Sequence, residues 1–206
     1  MADSVVAICN FALSHVGDSK GIVLITEATT PARACNQWYE QCRDEVLRAF
    51  PWPFATMPGS TLALVETLTA TTDEWSYSYA YPADALAVVR LPWGSSRNPT
   101  TATRTKYSIV RKSTGGRLLY TDQDAATISY IVKITDVGEF PPDFVAALSY
   151  LLASRICATV TSENRKENTV FLLQMYEKTL GKAMMAAANE VSPDVEPDSG
   201  FATSRA

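Results

Sequence analysis

The spacing of apolar residues changes period twice along the chain, and this limits the fold more than any other feature. Over the first fifty residues the apolar positions recur at helical spacing. Val5, Ile8, Cys9, Ala12 and Val16 form one stripe from about Asp3 to His15, with Asp3 or Ser4 able to cap the start and Gly17 to end it. A second stripe, Cys35, Trp38, Tyr39, Cys42, Val46 and Phe50, opens at Thr30-Pro31, read as an N-cap followed by proline at the first helical position. Its other face allows Glu40–Arg43 and Asp44–Arg48 pairs, and Pro51 and Pro53 end it.

From about Thr61 to Thr135 the period falls to two. Leu62 to Leu68, Trp75 to Tyr79, Leu86 to Leu91, Tyr107 to Arg111, Arg117 to Tyr120 and Thr127 to Ile134 read as short strands. Turn signals separate them at Thr71 to Asp73, Gly94 to Ser96, Thr114 to Gly116 and Asp122 to Asp124. Trp75, Tyr77, Tyr79 and Tyr81 alternate with small residues and are expected on one sheet face.

Helical spacing returns after Phe140-Pro-Pro-Asp143. Phe144, Ala147, Leu148, Leu151, Leu152 and Ile156 form a third stripe. Phe171, Leu172, Met175, Tyr176, Leu180, Ala183, Met184 and Ala187 form a fourth, capped by Thr161 or Ser162 and running to about Asn189. The predicted class is α+β. An antiparallel helical bundle is built from residues 1–50 and 140–189, with an antiparallel β-module, 51–139, inserted in it. Residues 190–206 form a tail without periodicity, expected to be disordered or extended in the free protein.

Four cysteines, Cys9, Cys35, Cys42 and Cys157, form no C-x-x-C pair, and with His15 the sole histidine no zinc set assembles. They read as small buried apolar residues in a reducing compartment. No basic leader precedes the first helix, and no apolar run approaches about 18 residues, so no membrane span is expected. Ser14 next to His15 falls on a different helix face, no G-x-S-x-G occurs, and Gly115-Gly116-Arg117 suits a hairpin better than a phosphate loop. The carboxylates fall in predicted turns with nothing to select a catalytic pair. No cofactor, metal site or catalytic set is predicted.

Charge is unevenly placed. The net charge is −4, yet seven of the 18 basic residues lie between Ala85 and Thr121, where there is no acid: Arg90, Arg97, Arg104, Lys106, Arg111, Lys112 and Arg117. The acidic balance of the whole argues against general nucleic-acid affinity. The stretch can be a solvated sheet edge guarded by positive charge, or a contact with an acidic neighbour or with passing DNA phosphates. Without interleaved aromatics for base stacking, an acidic protein is preferred.

Several motifs occur in a familiar order. Arg43-Asp-Glu-Val-Leu47-Arg48-Ala-Phe-Pro51-Trp52-Pro-Phe54-Ala55 resembles the end of the second helix in the tail tubular protein A family of short-tailed phages. Trp75-x-Tyr77-x-Tyr79-x-Tyr81-Pro82-x-Asp84-x-Leu86 is similar to its aromatic strand. Asn10-x-Ala12-Leu13-x-x-Val16-Gly17, Ile128-x-Tyr130-Ile131 and Phe140-Pro-x-x-Phe144 are similar too, so the resemblance covers about residues 5–188. It implies a non-enzymatic virion protein: a head-to-tail adaptor assembled in the bacterial cytoplasm, commonly as a ring of twelve copies. Such a ring joins the portal protein to the tail nozzle protein, with DNA as passing cargo in its channel and no membrane contact. On that reading the basic stretch and the tail, with Val191, Val195 and Phe201, are candidate partner contacts. Pro51, Trp52, Pro53 and Phe54 are a candidate hinge, with core packing as the alternative role. A virion-associated cell-wall hydrolase and a host cytosolic interaction module are the rival readings.

Overall fold

The computed structural model describes residues 4–68, 74–92, 105–161 and 165–190. Among these residues, four helices, α1 (Val5–Val16), α2 (Thr30–Ala49), α3 (Pro142–Val160) and α4 (Arg165–Asn189), enclose seven strands in sequence. These are β1 (Thr56–Thr61), β2 (Leu64–Thr67), β3 (Tyr77–Ala80), β4 (Ala85–Arg90), β5 (Ser108–Arg111), β6 (Arg117–Thr121) and β7 (Thr127–Val132). The class is α+β: the two helix pairs pack together, and two antiparallel sheets are inserted between α2 and α3. One sheet has the order β1-β7-β4 and the other β2-β3-β6-β5.

Residues separate into two compact units, and the division falls within β1, β4 and β7 instead of at Pro51 and Phe140. The first takes the described residues up to Pro58, Pro82–Val89 and Ser129–Ala188. The second takes those of Gly59–Tyr81 and Arg90–Ile128. The helical unit therefore includes strand segments as well as helices, because Ile131, Leu86 and Val89 bury apolar surface on the same core as Phe144 and Leu148.

The helix ends follow from local chemistry. Ser4 accepts the Ala7 amide, and Gly17 closes α1 in the left-handed region at φ 90°. Thr29, not Thr30, caps α2: its hydroxyl accepts from Ala32 N, which places Pro31 one position further inside. At the other end of α2 the indole of Trp52 donates to Val46 O at 2.9 Å. Pro51 and Pro53 have no N–H, so a side chain supplies the donor that the chain beyond the helix lacks.

The expected Glu40–Arg43 and Asp44–Arg48 pairs do not form. Arg43 is buried and clasps Asp44 at 2.8 Å, and Asp44 is drawn inward by Lys133 at 3.0 Å, just beyond β7. α3 packs against both α1 and α2 and is the central helix. By length and composition alone it is apolar enough to cross a membrane, and most of it, 61%, is buried in the helical unit, as in a core helix. α4 contributes Leu172, Ala183 and Ala187 to the core, with Tyr176, Leu180 and Met184 half-buried against it. Phe171, expected inward, points out with Val170 and Met185, because a helical step of roughly 100° takes it off the Leu172 face.

The loop from α1 to α2 is tightly held. The Asn10 amide donates to Ile22 O at 2.9 Å, and its oxygen accepts the Ile22 amide at 2.8 Å. Glu27 accepts the amides of both Val23 and Leu24 at 2.7 Å. Gly21 (φ 64°) is required here: a Cβ would come within 2.9 Å of Asn10 Oδ1.

In the second unit, Tyr79 is the buried anchor. Its hydroxyl donates to Gln123 O at 2.9 Å and accepts from Ala126 N at 3.3 Å. Tyr77 and Tyr79 lie with ring centroids 6.3 Å apart, yet Ser78 between them is also buried, so β3 is covered on both faces there.

Candidate functional site

The basic stretch is divided by the fold. β5 is the outer strand of the four-stranded sheet, pairing with β6 so that Arg111 stands directly across from Arg117. Like charges in that register repel, and the Arg117 guanidinium lies 4.0 Å over the Tyr81 ring. Lys112 enters the hairpin, whose Gly115 (φ 96°) and Gly116 (φ 87°) provide the left-handed turn. Arg111, Lys112 and Arg117 thus gather at one hairpin end, and Lys106 stands before the opposite end of β5. Arg90 is the exposed last residue of β4, in the other sheet. Arg97 and Arg104 lie outside the described residues, as do Val191, Val195 and Phe201 of the tail.

Pro51 is exposed, Pro53 and Phe54 are half-buried and Trp52 is buried. Trp52 meets Phe50 at 5.3 Å and Phe144 at 5.4 Å edge-on, and Phe54 meets Phe144 at 5.2 Å. These four candidate hinge residues thus lie in or beside an aromatic cluster of the helical unit.

A groove that the sequence did not indicate opens on the same unit, with a volume of about 390 Å³. Phe11 and His15 line it from α1; Val145, Ala146, Ser149 and Tyr150 line it from α3; Phe140 and Pro142 complete the lining. The only available sequence signal was the i, i+4 spacing of Phe11 and His15 on a flank of α1 outside the core stripe. His15 stacks on Tyr150 with centroids 4.0 Å apart and planes 12° apart, and its Nε2 lies 3.2 Å from Ser149 Oγ. Ser149 Oγ donates to Ala146 O at 2.8 Å, so the imidazole N–H is the donor to Ser149. Loss of water from the stacked ring lowers the His15 pKa. The groove can bury an apolar side chain beside a ring nitrogen.

The four cysteines are buried and unpaired. The neighbouring Cys35 thiol, together with burial, pushes the ionisation of Cys9 far above the usual thiol range. Burial also pushes Cys42 up to about 12. No group of three or more metal-binding side chains occurs among the described residues. In comparison with known proteins, the chain matches no family model and no curated sequence.

Proposed function

We propose that this chain is a structural virion protein, a head-to-tail adaptor whose copies form a ring between the portal and the tail nozzle of a short-tailed phage. The observation that carries this reading is the distribution of apolar side chains on the helical unit. Val23, Leu24, Val170, Phe171 and Met185 are exposed outside the core, and Phe11 borders an apolar groove. Where exposed apolar side chains adjoin, as Val23 does Leu24 and Val170 does Phe171 in sequence, they suit surfaces that other proteins cover.

The resemblance in motif order supplies the kind of assembly. α3 at the centre of the helical unit gives each copy a rigid body, and repeated contacts between two different faces of such a body give a ring when the rotation between copies closes. The basic hairpin suits an acidic neighbour, with Arg111, Lys112 and Arg117 as the contacting residues.

The test is co-assembly. Purified chain mixed with the portal protein of the same virus is expected to give portal-capping rings in negative-stain images. Portal particles that stay bare at micromolar concentrations of the chain overturn the adaptor reading. Cell-wall degradation in a zymogram, lost on changing a single carboxylate, would replace it with the hydrolase.

A further inference from the structure

We infer that neighbouring copies join by extending the four-stranded sheet: the β2 edge of one copy pairs antiparallel with the β5 edge of the next. This rests on the ring reading and names the contact that would repeat around it.

Both edges are open among the described residues. β2 and β5 end the strand order β2-β3-β6-β5, and each pairs only on its inner side. All four residues of β2 are exposed, with Leu64 at 53% and Val65 at 47%, and Ile109 of β5 is 44% exposed. A strand edge left open with apolar side chains is a template for another strand. β2 also shifts register between Leu64 and Glu66, so Val65 has no partner on β3.

Charge decides what can pair there. β5 and its flanks carry Lys106, Arg111 and Lys112, in a stretch without any acid. The β2 edge is the opposite: the chain has no basic residue between Arg48 and Arg90, while Glu66 lies on β2 and Glu74 just before β3. None of these charged side chains forms an ion pair among the described residues. Two β5 edges brought together set base against base, and two β2 edges set acid against acid; like charges across a strand pair are destabilising. β2 against β5 sets acid against base. Positive charge on β5 therefore repels its own kind and admits the other edge of the same sheet. Arg111 already faces Arg117 across the β5–β6 pair, so an acid arriving on the outer side also offsets that repulsion.

Direction and register agree with this pairing. Every pair in the sheet is antiparallel, so β2 and β5 run in opposite directions across its four strands. Copies set side by side in one orientation thus meet with antiparallel edges. One row across the sheet runs Leu64, Tyr79, Leu119, Ile109, and the next runs Glu66, Ser78, Tyr120, Ser108. Continued level into the next copy, the first row brings the exposed Leu64 against the exposed Ile109. The second brings Glu66 against Ser108, diagonal to Lys106, within reach of a long side chain. Because the contact joins two different edges, it repeats from copy to copy and gives a ring when the rotation closes.

Two variants reverse one edge each: Lys106→Glu with Arg111→Glu, and Glu66→Lys with Glu74→Lys. Each alone is expected to weaken self-association in sedimentation velocity by about tenfold. An equimolar mixture is expected to associate like the unchanged chain, because each variant supplies the charge that the other lacks. Leu64→Cys with Ile109→Cys in one chain should give a ladder of covalent oligomers beyond the dimer on mild thiol oxidation; the native cysteines are buried. Reversal variants that associate unimpaired, a mixture that stays apart or an absent ladder overturns this contact, and rings still capping the portal then leave the adaptor reading standing. Loss of portal rings confined to the β5 reversal assigns that edge to an acidic strand of another protein and overturns pairing between copies. An unchanged chain that neither self-associates nor caps the portal overturns both readings.

Discussion

Replacing Asn10 by alanine tests whether the α1–α2 loop is fixed by one side chain. Asn10 makes two bonds to Ile22, at 2.9 Å to its carbonyl and 2.8 Å from its amide, and Ile22 is only 4% exposed. Alanine removes both partners at once. A buried polar group left unsatisfied costs about 1–3 kcal/mol. The loop borders solvent at Val23, so water can reach part of the vacated space, and a total of about 2 kcal/mol follows in place of the full sum. For a chain of this size that lowers Tm by about 4–8 °C.

The local effect is the sharper readout. If the loop opens about 2 kcal/mol more easily, amide exchange at Ile22 to Leu24 accelerates about thirtyfold, measurable by hydrogen-exchange mass spectrometry on peptides covering residues 18–29. The α3 peptides should keep their protection. Unchanged exchange at Ile22 would refute the claim that Asn10 holds the loop.

Three further outcomes are expected. Trp52→Phe keeps an aromatic ring against Phe144 but removes the donor to Val46 O; a loss of about 2 kcal/mol is expected, read by urea denaturation followed by circular dichroism, and an unchanged midpoint contradicts the capping role. The Tyr39 hydroxyl is buried without a hydrogen-bond partner among the described residues, and burial pushes its pKa up to about 12. Tyr39→Phe should therefore stabilise the protein by about 1 kcal/mol, and a lower Tm would show that the hydroxyl is satisfied in solution. His15 has a lowered pKa in the folded protein, so its neutral form supports folding above 6.5, the ordinary value. That contribution is lost as pH falls from there through the folded-state pKa. His15→Gln should flatten the decline in Tm below pH 6.5, and an identical decline in the variant assigns it to other groups.

Features set within a few residues were legible in the sequence. Ser4 and Gly17 announced the ends of α1 because caps are local, and the core stripe of α3 from Phe144 to Ile156 followed from its period alone. The one-residue shift at Thr29 arose because adjacent threonines offer the same capping oxygen, and only the amide each reaches decides between them. β1 was missed because Thr56–Thr61 contains Pro58 and Gly59 and shows no alternation; it is a strand because it pairs in the sheet with β7. The pairing of Asp44 with Lys133 depends on a residue from the far side of the inserted strands. The groove was hidden for the same reason: Phe11 and Tyr150 lie off their helices' core stripes and become neighbours only when α1 meets α3.

The pair of His15 and Ser149 bears on what that groove can do, since a serine beside a histidine invites a catalytic reading. General-base catalysis needs the serine proton directed at the imidazole. Here Ser149 Oγ gives its proton to Ala146 O one turn back on α3, the usual hydrogen bond of a helical serine. To reverse the arrangement, the hydroxyl would have to leave that carbonyl and His15 would have to exchange tautomers. Ser149 lines the groove but is only 2% exposed. What stays open is the apolar mouth, bounded by Phe11, Phe140 and Val145. Those three side chains are apolar, so this part of the groove offers surface for burying an apolar side chain.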